Sequence, residues 1–153
     1  MLCLTAYAPT LKNGFIADDY VILQRTQILK ADPFYLFEVV PENFRTTSYV
    51  VFSALRSLVG YDPRWFYAFT IALHFVNCLL FYRLLRRLDE SSPIPARATL
   101  LFAVFQAPQE AVMWIAAMNE GLQAFFINTF PHICGLCFTE SFSTQVFHYK
   151  SDL

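Results

Sequence analysis

The reading of this chain turns on Trp65–Tyr82, WFYAFTIALHFVNCLLFY, eighteen residues without a charge, followed at once by Arg83, Arg86 and Arg87. Nine of the eighteen are Leu, Ile, Phe or Val. At roughly −0.3 to −0.6 kcal/mol each, they contribute about −3 to −5 kcal/mol to membrane insertion. Asp62-Pro63 opens the helix, with proline in the first turn, where its missing N–H costs nothing. Thr70, His74 and Asn77 oppose insertion. They are spaced four and three apart, so they share one helix face. That face is expected to meet other helices, because lipid offers polar groups no partner. For His74 this reading outweighs that of a metal ligand or an acid–base group.

The arginines orient the helix. Arg83, Arg86, Arg87 and Arg97 place four positive charges in fifteen residues, whereas Asn13–Asp62 spreads Arg25, Lys30, Arg45 and Arg56 over about fifty. The 83–97 loop is therefore expected on the cytoplasmic side and the 13–62 loop on the outer, or lumenal, side.

Outward from this anchor, Ala98–Met118 reads as the next span, interrupted by Gln106, Pro108, Gln109 and Glu110. Gly121–Thr139 is again free of charge and can span back, with Pro131 as a kink. Leu2–Leu11 is too short to cross and reads as the outer half of a first helix whose start is missing. It lacks the basic start and cleavage site of a signal peptide. Within the outer loop, short amphipathic helices fit Asp19–Leu29 and Thr47–Val59. In the second, Tyr49, Val50, Phe52, Leu55, Leu58 and Val59 recur near helical spacing.

The expected fold is thus all-α. It is a polytopic transmembrane bundle with a partial first helix over 1–12 and a large outer loop over 13–62. Membrane helices follow over 64–85, 97–118 and 121–139, and a polar tail over 140–153.

Composition agrees. Apolar residues make up 56% of the 153 and charged residues 15%, against about 25% charged in a soluble domain. Seventeen Phe and eight Tyr exceed what so small a soluble domain can bury. A soluble helical protein is therefore strongly disfavoured. The net charge of −1 is spread along the chain, without the basic stripe a nucleic-acid partner needs. Cys134-x-x-Cys137, with His132 before it, has the spacing of a metal or redox pair. A zinc site needs four ligands and no second cluster is visible, so small apolar residues in a membrane helix are the expectation.

Asp18-Asp19 is the notable acidic pair. It can supply a general base for a hydroxyl nucleophile, recruit a divalent cation such as Mg or Mn, or simply be solvated charge on the outer side. Arg45, in FRTTSY, suits a phosphate held by two hydrogen bonds. Glu110, brought to the same outer face by the third span, is the third candidate, because a carboxylate at membrane depth is costly and is by default a functional-site hypothesis. The opposing reading is that Pro108 ends the buried part and Glu110 sits in water.

Taken together, GFIADDYVIL, FRTTSYVVFSAL, YDPRWFYAFTIALHFVNCLLFYRLLRRL and ATLLFAVFQAPQEAVMWIAAMNE resemble the N-terminal part of the GT-C superfamily of membrane glycosyltransferases. The similarity is to the protein O-mannosyltransferase-like branch and the bacterial lipid-A or oligosaccharide glycosyltransferase-like branch. It covers roughly residues 5 to 127.

The resemblance implies an inverting transfer of sugar from a polyprenyl- or dolichyl-phosphate donor to an acceptor hydroxyl. Asp18 or Asp19 would be the base, Arg45 would stabilise the leaving phosphate and Glu110 would be a second acid. The resemblance also implies that nearby acids can hold a metal. Thr46 stands where the family usually has Pro, and Gln106 where a His is common. The match fades after about Phe126.

The expectation is therefore a fragment, inactive alone, of a protein that needs its remaining helices or a partner subunit. A bacterial inner membrane is favoured over the endoplasmic reticulum. The alternative is a small non-catalytic membrane scaffold or assembly protein.

Overall fold

The computed structural model describes residues 2–32, 34–35 and 46–134. Among these the chain is helical throughout and contains no strand. Helix α1 (Leu2–Tyr7) runs into a 3₁₀ segment, Ala8–Lys12, with Pro9 in its first turn. Then come α2 (Asp18–Ala31), α3 (Thr46–Val59) and α4 (Pro63–Leu88). After a turn follow α5 (Ile94–Val104), α6 (Gln106–Met113), a 3₁₀ turn at Ile115–Ala117, and α7 (Met118–Ile133).

Helix α4 starts where its sequence says it should. The Asp62 carboxylate accepts the Arg64 N–H at 3.0 Å and Pro63 occupies the first turn. Its 26 residues are about 39 Å long, more than the ~30 Å hydrocarbon thickness of a bilayer. It is the one helix among the described residues long and apolar enough to cross a membrane. Only 28% of its most apolar window is buried inside the protein. A core helix of a soluble domain would be mostly covered.

The expected 97–118 span is not one helix. Pro108 has no N–H for the carbonyl of Val104, four residues back, and its ring crowds that carbonyl. Accordingly α5 ends at Val104, Phe105 is extended (φ −69°, ψ 150°), and α6 begins at Gln106. A second break at Trp114 leads into the 3₁₀ turn. The final helix starts at Met118, three residues earlier than expected, and is described to Ile133.

Carbonyls freed by these breaks need donors, and the polar stripe of α4 supplies them. His74 Nε2 meets the Ala103 carbonyl at 3.2 Å near the end of α5. Thr70 Oγ1 donates to the Val112 carbonyl at 3.0 Å near the end of α6. Asn77 Nδ2 donates to the Gly121 carbonyl of α7 at 2.9 Å. All three side chains are buried. The stripe faces partner helices, as its spacing requires.

These pairs also give the directions. Moving from Thr70 to His74, the partner moves back from Val112 to Ala103, so α5–α6 runs antiparallel to α4. Asn77 meets Gly121, while Arg87 reaches the Pro131 carbonyl, so α7 runs parallel to α4.

At the Pro63 end of α4, helices α2 and α3 cap the group. Helix α2 buries Asp19, Ile22, Leu23 and Thr26, which recur at i, i+3, i+4 and i+7. Helix α3 buries Ser48, Tyr49 and Phe52, while Val50 and Leu58 of its apolar pattern point outward. One core cluster joins Leu23, Phe52, Phe66, Tyr67, Ile115 and Met118. A second, around Ile71, Cys78, Ala103 and Val112, includes Tyr7, whose ring meets His74 edge-on at 5.4 Å.

Candidate functional site

The acidic pair opens α2, where two carboxylates suit the positive end of the helix. The two are not equivalent. Asp19 is 0% exposed. Its Oδ2 accepts the Ile16 N–H at 2.8 Å and its Oδ1 accepts the Ala116 N–H at 2.7 Å. One carboxylate thus ties the entry of α2 to the 3₁₀ turn before α7. Asp18, its neighbour, is exposed.

The turn leading into the pair is held from below. Tyr67 of α4 is fully buried, and its hydroxyl donates to the Gly14 carbonyl at 3.1 Å. Phe15 packs edge-on against Phe66 at 5.5 Å between ring centres. Between these anchors and Asp19 sits Ala17, at φ 37° and ψ −99°. A residue with a Cβ avoids positive φ. Such strain costs of order 1–3 kcal/mol and persists only where the surroundings over-determine it. Here the two bonds of Asp19 and the contacts of Tyr67 and Phe15 do so.

Burial pushes the Asp19 carboxyl above its ordinary value of 3.8. The Ile16 and Ala116 N–H groups pull the other way, and the charge of Asp18 adds to the rise. An acid raised in this way binds its proton more tightly folded than unfolded. Its contribution therefore favours folding as the pH falls toward 3.8, and is lost as the pH rises through the raised folded value. Measured against Asp19→Asn, the wild-type chain is expected to gain stability from neutral pH down to that value. Parallel stability–pH profiles for the two proteins would refute this.

The other expected members are not drawn to the pair. Arg45 lies outside the described residues. Glu110 is exposed on α6, and among the described residues no hydrogen bond or ion pair joins it to Asp18 or Asp19. As a divalent-metal site the pair is poor. Both oxygens of Asp19 already accept N–H groups, and among the described residues no cluster of three His, Cys, Asp or Glu could hold a metal ion. Cys134 is a free thiol and Cys137 lies outside the described residues.

Reasoning from sequence passed over Glu120. It stands in the first turn of α7 and lines a cavity with Thr70, His74 and Asn77. Its sequence signal, one acid between two apolar runs, is what a helix start also produces. Two further grooves lie among the described residues. One, of about 590 Å³ between α2 and α3, is lined by Lys30, Arg56 and Tyr61 among others. The other, of about 120 Å³, lies between the start of α3 and Asn119, Gln123 and Phe126 of α7.

No protein-family model matches the sequence, and neither a curated protein nor a solved structure is significantly similar to it.

Proposed function

We propose that the chain is the N-terminal part of an inverting membrane glycosyltransferase of the GT-C type. It would use a polyprenyl- or dolichyl-phosphate-linked sugar and a hydroxyl acceptor on the outer or lumenal face. The observation that carries the reading is the division of labour in the acidic pair. Asp19 is buried and anchored through both oxygens, which leaves Asp18 exposed on a rigid, strained turn beside it. A general base needs that combination of an open carboxylate and a fixed position.

In the proposed reaction Asp18 takes the proton of the acceptor hydroxyl. The acceptor oxygen attacks the anomeric carbon from the side opposite the phosphate. The carbon–oxygen bond to the lipid phosphate breaks and the configuration inverts. Arg45 would pair with the departing phosphate and Glu110 would serve as a further acid.

A multi-pass placement belongs to this reading. Helix α4 is poorly covered by protein. Leu100, Leu101 and Val104 of α5 and Phe126, Ile127, Phe130 and Ile133 of α7 are exposed, as lipid-facing side chains would be. A helix broken at membrane depth is tolerated where side chains re-satisfy its carbonyls, which is the part His74 and Thr70 play. With the arginines inside, the Pro63 end of α4 and the acidic turn face outward.

The second reading is a non-catalytic membrane scaffold. It is favoured by the same latch, since Asp19 already has a structural task, and by the absence of Asp18, Asp19 and Glu110 from the walls of the three cavities described above.

One assay separates them. Membranes that hold the protein together with its remaining helices or partner subunit are given a labelled polyprenyl-phosphate sugar. Asp18→Asn is expected to lower transfer by about 10²–10⁴-fold without loss of protein. Unchanged transfer in Asp18→Asn would remove the base assignment, and no transfer by the wild-type assembly would leave the scaffold. The purified 153-residue chain alone is expected to be inactive.

A further inference from the structure

The break between α5 and α6 opens a cavity of about 170 Å³ beside the polar stripe of α4. Thr70, His74, Asn77, Phe102, Pro108 and Glu120 are among its walls. Asn77 is 1% exposed. Its Nδ2 donates to Gly121, which fixes the orientation of the amide, because the opposite orientation would set oxygen against oxygen. Its Oδ1 is buried and has no donor among the described residues.

The other polar groups there are acceptors as well. The Thr70 hydroxyl spends its hydrogen on the Val112 and Tyr67 carbonyls. The His74 Nε2–H is spent on the Ala103 carbonyl, so the neutral ring keeps Nδ1 as a lone pair. Glu120 adds a carboxylate from the first turn of α7. The negative end of α5 and the positive end of α6 meet at Phe105, and their dipoles oppose one another. The sign of the site is therefore set by Glu120.

A ligand for this cavity must bring hydrogen-bond donors and positive charge. It must also tolerate the carbon walls of Phe102 and Pro108, which a hydrated metal ion does not. A primary ammonium on a short hydrocarbon body meets both demands. It offers three N–H donors, and its carbon part covers apolar surface. We propose that this cavity binds a small primary ammonium ligand, with Asn77 Oδ1 and the Glu120 carboxylate as its acceptors. The inference is independent of the transferase reading, since neither Asp18 nor Arg45 takes part.

The test uses n-butylammonium chloride as the probe, titrated calorimetrically into the detergent-solubilised chain with empty micelles as the blank. Saturable binding is expected. Glu120→Gln is expected to weaken it about tenfold, the worth of one charge-assisted hydrogen bond. Glu120 is exposed, so this variant keeps the fold. Ala124→Leu, which places a larger side chain in the cavity wall while leaving Glu120 intact, is expected to abolish binding. Three results would overturn the proposal: no saturable binding to the wild type, unchanged affinity in Glu120→Gln, or equal competition by sodium ions.

Discussion

Replacing Asp19 by Ala is expected to lower the unfolding free energy of the chain by about 2–4 kcal/mol. The change strands two backbone donors, Ile16 N–H and Ala116 N–H, at a site where the carboxylate is 0% exposed. Each buried group left without a partner costs about 1–3 kcal/mol. Relief from burying a carboxylate offsets part of the sum, which keeps the total below the upper limit. Relaxation of the strained Ala17 returns a further part of the loss, limited by the backbone bond from the Asp19 N–H to the Ile16 carbonyl at 2.8 Å, which the substitution keeps. The readout is denaturant unfolding in detergent followed by tryptophan fluorescence. Trp114 lies two residues before Ala116 and reports on that turn. Asp18→Ala serves as the control, with an expected change within about 0.5 kcal/mol for an exposed site. A loss below that figure for Asp19→Ala would show that the two bonds do not hold the turn.

The second large effect is expected at Tyr67. It is among the largest fully buried side chains, and its ring lies in the cluster that joins α2, α3, α4 and α7. Tyr67→Ala is expected to cost about 3–5 kcal/mol, the range for removing a large aromatic from a packed core. Tyr67→Phe keeps the ring and loses only the hydrogen bond to the Gly14 carbonyl, so about 1 kcal/mol is expected. A cycle combining Tyr67→Phe with Asp19→Ala tests whether the two act on one object. Both pin the short segment between Gly14 and Asp19, so their effects are expected to be non-additive. Strict additivity would mean that the acidic turn is held from one side only.

Much of the helical layout was legible in the residues. The start of α4 at Asp62-Pro63 follows from cap chemistry that is local to four residues. Helices α2 and α3 match the expected Asp19–Leu29 and Thr47–Val59 to within two residues, because amphipathic spacing is also local. The inward direction of Thr70, His74 and Asn77 follows from helical geometry and the lack of partners in lipid.

The division of 97–118 was less legible. Pro108 marks where a helix can break, but membrane helices often continue past a proline with a kink. Here the carbonyls left by the break found donors on α4, and those donors are 29 and 42 residues away in sequence.

The acidic pair shows the same boundary. Side by side in GFIADDY, Asp18 and Asp19 are chemically identical, and the sequence by itself determined only that two adjacent carboxylates stand where a short helix begins. Tertiary structure decided which one is buried. The deciding partner is the Ala116 N–H, 97 residues away, presented by a turn that exists only because α6 ends at Met113. Glu120 follows the same rule, since it reads as a helix start until Asn77 and the α5–α6 break are placed around it. Local chemistry sets helices and their faces because its partners lie within a few residues. Which polar atom meets which, and which one is left open, depends on elements that meet only when the chain has folded.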